Sequence, residues 1–173
     1  FWINHLLART LHLGVQPPQL TAALTYYRIT VALRPRNAGV YVNLGGTLAD
    51  AGDLPASIAA FESAIRLAPD YAQAHYGLGV SRGRQHDVDG AIAAYREALE
   101  RQPTHLPALL SLASSLESTG DLAGASEMLA RAIQLRPHSA EYLKLGNVRR
   151  AAGDLPGAIL AYQQATESDA EHA

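Results

Sequence analysis

Apolar residues recur three and four positions apart along most of this chain, as in Leu54, Ile58, Phe61 and Ile65. That is the spacing of a helix burying one face. The helical stretches are punctuated at a fixed interval, since Pro35, Pro69, Pro103 and Pro137 stand 34 residues apart. Counting from the prolines exposes further columns. Leu44, Leu78, Leu112 and Leu145 form one, each followed by a small residue: Gly45, Gly79, Ala113 and Gly146. Turn positions Gly52, His86, Gly120 and Gly153 each precede an aspartate: Asp53, Asp87, Asp121 and Asp154. A bulky column holds Phe61, Tyr95, Leu129 and Tyr162, and an alanine column holds Ala64, Ala98, Ala132 and Ala165. One residue is missing between Pro137 and Tyr142, so the last unit recurs at 33.

Local chemistry places the helix ends. A turn glycine adopts positive φ without a Cβ penalty, and histidine tolerates that region better than most side chains. The following aspartate can cap the next helix, Pro55 and Pro156 suit a first turn, and each periodic proline restricts the residue before it. The pattern predicts ten helices over 3–14, 20–33, 38–51, 54–67, 72–84, 88–101, 106–118, 122–135, 140–152 and 155–167. Val15 to Gln19, with Pro17 and Pro18, reads as a lengthened turn.

These columns resemble the tetratricopeptide repeat: a large residue, Leu-Gly, Gly-Asp, then Ala, an aromatic, Ala and a closing Pro. The resemblance is strong from Ala38 to Ala165; ahead of that, Leu20, Ala23, Tyr27 and Pro35 keep register. It implies an all-α, right-handed α-solenoid of about five antiparallel helix-turn-helix repeats. The expected organisation is one array over 1–173, with a degenerate unit at 1–37 followed by units at 38–71, 72–105, 106–138 and 139–173.

Composition narrows the function classes. The 173 residues are 17% charged and 48% hydrophobic with net charge −2, a globular chain without the basic footprint of a nucleic-acid binder. No apolar run is long enough to span a bilayer, and no cysteine is present for a disulfide or thiolate site. The chain reads as soluble, with the cytoplasm the favoured compartment although no residue fixes it. No phosphate-loop, zinc-protease or nucleophile-elbow string occurs, so neither catalysis nor a cofactor or metal is expected. His5 and His12, seven apart, lack a third ligand and read as a solvated or partly packed pair. His75 shares the column of Tyr41, Leu109 and Tyr142 and reads as an interhelix packing residue. Arg82 and Arg149 stand where Leu48 and Leu116 do, so their stems should cover apolar surface.

In the resembled family the first helix of each pair lines a concave face where peptides dock. The matching positions are an apolar stripe of Val42, Tyr76, Leu110 and Leu143, flanked by Asn43, Gly77, Ser111 and Lys144 and by Gly46, Val80, Ser114 and Asn147. A rim of Asp50, Arg84, Glu117 and Arg150 adds mixed charge. The candidate partner-binding residues are therefore Val42, Asn43, Tyr76, Val80, Arg84, Leu110, Ser114, Leu143, Lys144 and Asn147. With Lys144 its one lysine, the chain lacks the basic clamp by which some family members hold acidic chaperone tails, and Asn43 stands alone where glycosyltransferase arrays carry an asparagine ladder.

The expectation is a non-catalytic scaffold binding a protein or peptide partner. The alternatives are a substrate-recruiting repeat domain of a larger enzyme, such as a glycosyltransferase, or a structural subunit of an assembly. The apolar opening segment and the final helix with Ile159 and Leu160 read as uncapped ends that invite self-association or a subunit contact.

Overall fold

The computed structural model describes residues 2–14 and 19–170. Ten α-helices run through them: α1 (Trp2–Arg9), α2 (Leu20–Leu33), α3 (Ala38–Asp50), α4 (Leu54–Leu67), α5 (Ala72–Arg84), α6 (Val88–Arg101), α7 (Leu106–Ser118), α8 (Leu122–Leu135), α9 (Ser139–Ala151) and α10 (Leu155–Ala170). No strand occurs among the described residues, and none of these helices is long and apolar enough to cross a membrane.

The chain forms two compact units. In the first, Phe1–Arg101, helices α1/α2, α3/α4 and α5/α6 pair, with α2 against α3 and α4 against α5 joining successive pairs. The second, Gln102–Ala173, pairs α7/α8 and α9/α10 through contacts of α8 with α9.

One turn design closes the four pairs from α3/α4 to α9/α10. Gly52, His86, Gly120 and Gly153 take φ of 83°, 65°, 84° and 82°. The next N–H then reaches back to a carbonyl of the finished helix, as Asp53 N does to Leu48 O at 2.9 Å and Asp121 N to Leu116 O at 2.9 Å. The same aspartate starts the following helix: Asp53 Oδ1 accepts from Ala56 N, Asp87 from Gly90, Asp121 from Gly124 and Asp154 from Gly157, at 2.9–3.1 Å. Between pairs, the residue before the proline leaves helical geometry; Arg34, Ala68 and Arg136 have φ of −141°, −145° and −150°.

The small and bulky columns meet across each pair. A Cβ on Gly45 would lie 2.9 Å from the Phe61 ring, one on Gly79 2.6 Å from Tyr95, and one on Gly146 would run into Tyr162. Where the bulky residue is Leu129, the small residue is Ala113, and both are buried. A Cβ is admitted only where the aromatic ring is absent.

The first expected helix, 3–14, is corrected by the structure. It ends as α1 at Arg9 and continues as a π-helical turn over Thr10–Gly14. His5 and His12 meet different partners. His12 Nδ1 lies 3.1 Å from Thr47 Oγ1 and its Nε2 2.9 Å from Asp50 Oδ2, while His5 meets the Tyr27 ring edge-on at 6.1 Å. Burial, and secondarily the charge of Arg9, pushes the His5 imidazole below its ordinary pKa. The lengthened turn expected beyond it, at 15–18, lies outside the described residues.

Candidate functional site

Helices α3 and α5 are the first helices of neighbouring pairs in the first unit, and they touch. Their facing residues enclose a cavity of about 180 Å³ lined by Gly46, Ala49 and Asp50 from α3 and by Gln73, Tyr76, Gly77, Val80, Ser81 and Arg84 from α5. Phe61 of α4 supplies the floor. It reaches that far because two helix positions lack a Cβ: a methyl at Gly77 would run into the ring, as would one at Gly45. The third glycine behaves differently. A Cβ on Gly46 would meet nothing within 4 Å, so this position opens the cavity.

Each wall is held in place. The half-buried Tyr76 lies against Tyr95 of α6, with ring centroids 5.9 Å apart and planes tilted by 37°. Beneath the cavity, fully buried Ser57 and Ser81 join three helices: Ser57 Oγ donates to Gly45 O at 2.7 Å, Ser81 Oγ donates to Gly77 O at 3.0 Å, and the two hydroxyls are 2.8 Å apart.

The rim is a charge network. Arg84 Nη1 donates to Ala49 O at 3.0 Å and to Asp50 Oδ1 at 3.3 Å. Asp50 Oδ2 meets His12 Nε2 on its other side. Thr47, fully buried behind this group, donates to Asn43 O at 2.8 Å and stands beside His12 Nδ1.

The structure thus brings Tyr76, Val80 and Arg84 into one cavity. Val42, from the same apolar stripe, is buried among Phe61, Ala64, Ala74, Leu78 and Ala94, where it supplies core packing. Asn43 is half-buried on α3. In the second unit, Leu110 is half-buried and Ser114 exposed on α7; Leu143, Lys144 and Asn147 are exposed on α9. Asn147 Oδ1 accepts from Tyr162 O–H at 2.9 Å, which ties α9 to the bulky column of α10.

Other residues singled out in the sequence have structural partners. His75 is buried, with Nε2 2.8 Å from Pro69 O. Arg82 lies 3.7 Å from Glu62, and Arg149 Nη1 donates to Gly157 O at 3.3 Å, each with its side chain 31% exposed. His105 caps α7, its Nδ1 accepting from Ala108 N at 3.2 Å. Burial pushes this imidazole below its ordinary pKa, against a smaller opposing effect of its backbone hydrogen bond. Column reading missed His12 as a rim residue, since it precedes the first residues that keep the period.

Two family models described as Tetratricopeptide repeat match the chain, one over residues 19–72 and 47–105, the other over 84–146. No curated protein sequence matches significantly. Among solved structures, the fold is similar to a crystal structure of MamA, at 22% identity over 91% of this chain and 92% of that one, with a TM-score of 0.83. It is similar also to a MamA chain from Desulfovibrio magneticus RS-1, at 18% identity over 97% and 96% of the two chains, with a TM-score of 0.80. A third similar fold is YrrB, described as a TPR protein with an unusual peptide-binding site, at 19% identity over 98% and 86%, with a TM-score of 0.75.

Proposed function

This chain belongs to the tetratricopeptide repeat family, whose models match it from residue 19 to residue 146, and from that premise we propose that it is a non-catalytic scaffold. It holds a peptide segment of a partner protein against the first helices of its repeats. The observation that carries this reading is the cavity between α3 and α5. Its volume of about 180 Å³ falls below the roughly 300–1,000 Å³ that encloses a whole drug-sized ligand. It suits one side chain of a larger partner. Aromatic and aliphatic walls from Tyr76, Phe61 and Val80 with a charged rim have the make-up of an anchor pocket. The peptide-binding site described for YrrB, a similar fold, supports the reading. We assign Asn43, Leu110, Ser114, Leu143, Lys144 and Asn147 to the same docking role, with Val42 beneath as packing.

The test is a binding measurement with a peptide selected from a displayed library against the full chain. Tyr76→Ala is expected to weaken binding by roughly 1–2 kcal/mol, while Arg96→Ala, exposed on α6, leaves it unchanged. The reverse pattern would reject the reading.

A second reading concerns the ends and rests on exposure. Ile159 is 58% exposed, whereas Ile92 in the same column is 8% exposed; Trp2, Ile3 and Leu6 are 73%, 75% and 64% exposed. These faces fit a contact with a second copy or another subunit. Sedimentation across concentration tests this: association abolished by Ile159→Glu supports it, and a monomer at every concentration opposes it.

A further inference from the structure

The rim of the α3/α5 cavity has unequal hydrogen-bonding capacity on its two charges. Asp50 is engaged at both oxygens, by Arg84 Nη1 at 3.3 Å and by His12 Nε2 at 2.9 Å. Arg84 directs a single nitrogen, Nη1, at both Ala49 O and Asp50. Among the described residues its Nε and Nη2 have no protein partner. The guanidinium is therefore positioned by the protein and still has a donor edge to offer. With its side chain 48% exposed, it stands at an open rim where a chain can run past. One turn of α5 away, Val80 lines the cavity, and Gly46 leaves it open from α3.

We infer that this site recognises an apolar side chain next to an Asp or Glu side chain in a passing peptide segment. The apolar group enters over Gly46 and rests on Phe61 and Val80. The neighbouring carboxylate accepts from the Nε and Nη2 edge of Arg84. Charge complementarity sets the sign. The aspartate already answers two donors, so a lysine or arginine of the ligand gains little there, whereas a carboxylate meets donors that are unspent. His12 Nε2 lies 2.9 Å from the other carboxylate oxygen of the aspartate, Oδ2, so that both oxygens of Asp50 face protein donors.

The inference rests on the peptide-binding reading above and is tested so that the two can fail separately. A random dodecapeptide library, fused through its C-terminus so that no free terminal carboxylate is present, is selected against the full chain. Recovered peptides are synthesised with an amidated end, and binding is followed by fluorescence anisotropy. The expected peptides share an apolar–acidic pair. Exchanging their acidic residue for the amide should weaken binding about tenfold to the native chain and less than about twofold to Arg84→Gln, the coupling of a direct charge pair. Gly46→Leu should weaken binding about tenfold or more by filling the cavity, with an unchanged or higher melting temperature excluding a folding defect. Peptides enriched in Lys or Arg would overturn the inference. So would peptides that bind Gly46→Leu and Arg84→Gln as well as the native chain; the wider reading would survive if Tyr76→Ala still weakened them. Peptides insensitive to all three substitutions would overturn both.

Discussion

Phe61 of the first unit and Leu129 of the second stand in one column and meet different neighbours. In the first, Phe61 lies between Gly45 and Gly77, and its ring reaches the cavity between α3 and α5. In the second, the equivalent residue is Leu129, with Ala113 and Lys144 at the two glycine positions; Ala113 is buried and Lys144 exposed. The rim follows the same division. Asp50 and Arg84 share a column and pair in the first unit, whereas the second holds Ser118 and Ala151 there. The charges expected at its rim, Glu117 and Arg150, stand one position earlier and so on a different side of their helices. One repeat frame thus carries two surfaces. What separates them is the presence or absence of a Cβ at two helix positions and a pair of charges, none of which alters the turn and capping residues that build the frame.

The largest effect should come from closing the glycine slot. Gly77→Ala forces a methyl into the Phe61 ring, and overpacking of this kind costs roughly 1–3 kcal/mol. Urea unfolding would measure it. Adding Phe61→Leu, which copies the second unit, should recover much of the loss; a double variant as unstable as the sum of the single ones would break the comparison. In the second unit, Lys144→Ala on the exposed counterpart should stay within about 0.5 kcal/mol.

Gly46→Ala should act with the opposite sign. With open space around its Cβ, the alanine removes a mid-helix glycine and should add roughly 0.5–1 kcal/mol. A destabilised Gly46→Ala would mean that the cavity is tighter than its geometry.

These contrasts also mark how far the sequence was readable. The helices α2, α4, α5, α6, α7 and α8 fall on their expected bounds, because the signals that end them are local: a positive-φ residue, an aspartate cap and a proline one period apart. The segment before Leu20 has no column to anchor it, so the π-helical turn and the placement of His12 were invisible. Within the site, Tyr76, Val80 and Arg84 were legible as columns, since a column sets a residue's direction around its helix. It does not set what stands opposite. Val42 and Leu143 share one column, yet they are 9% and 46% exposed. The cavity itself depends on Gly46 and Gly77, two positions whose side chains are absent and therefore carry no pattern.

The smallest predicted effect is the pH dependence that His105 contributes in the second unit. The folded pKa of His105 lies below its unfolded value because burial disfavours the imidazolium. Its stabilising contribution is therefore complete above the ordinary histidine pKa of about 6.5 and is lost as pH falls below it. His5 acts in the same direction in the first unit. His105→Asn keeps a capping acceptor without the titration and should flatten the decline in melting temperature between about pH 7 and pH 5. An unchanged slope would show that the buried cap does not contribute.

The central claim, that the glycine-opened cavity of the first unit is where a partner docks, is tested most directly by amide chemical-shift mapping. A library-selected peptide would be titrated into the isotopically labelled full chain. The account predicts the largest changes at Gly46, Tyr76, Gly77, Val80 and Arg84, with their loss in Gly46→Leu. Changes centred on the exposed faces of α4 and α6, and retained in Gly46→Leu, would contradict it.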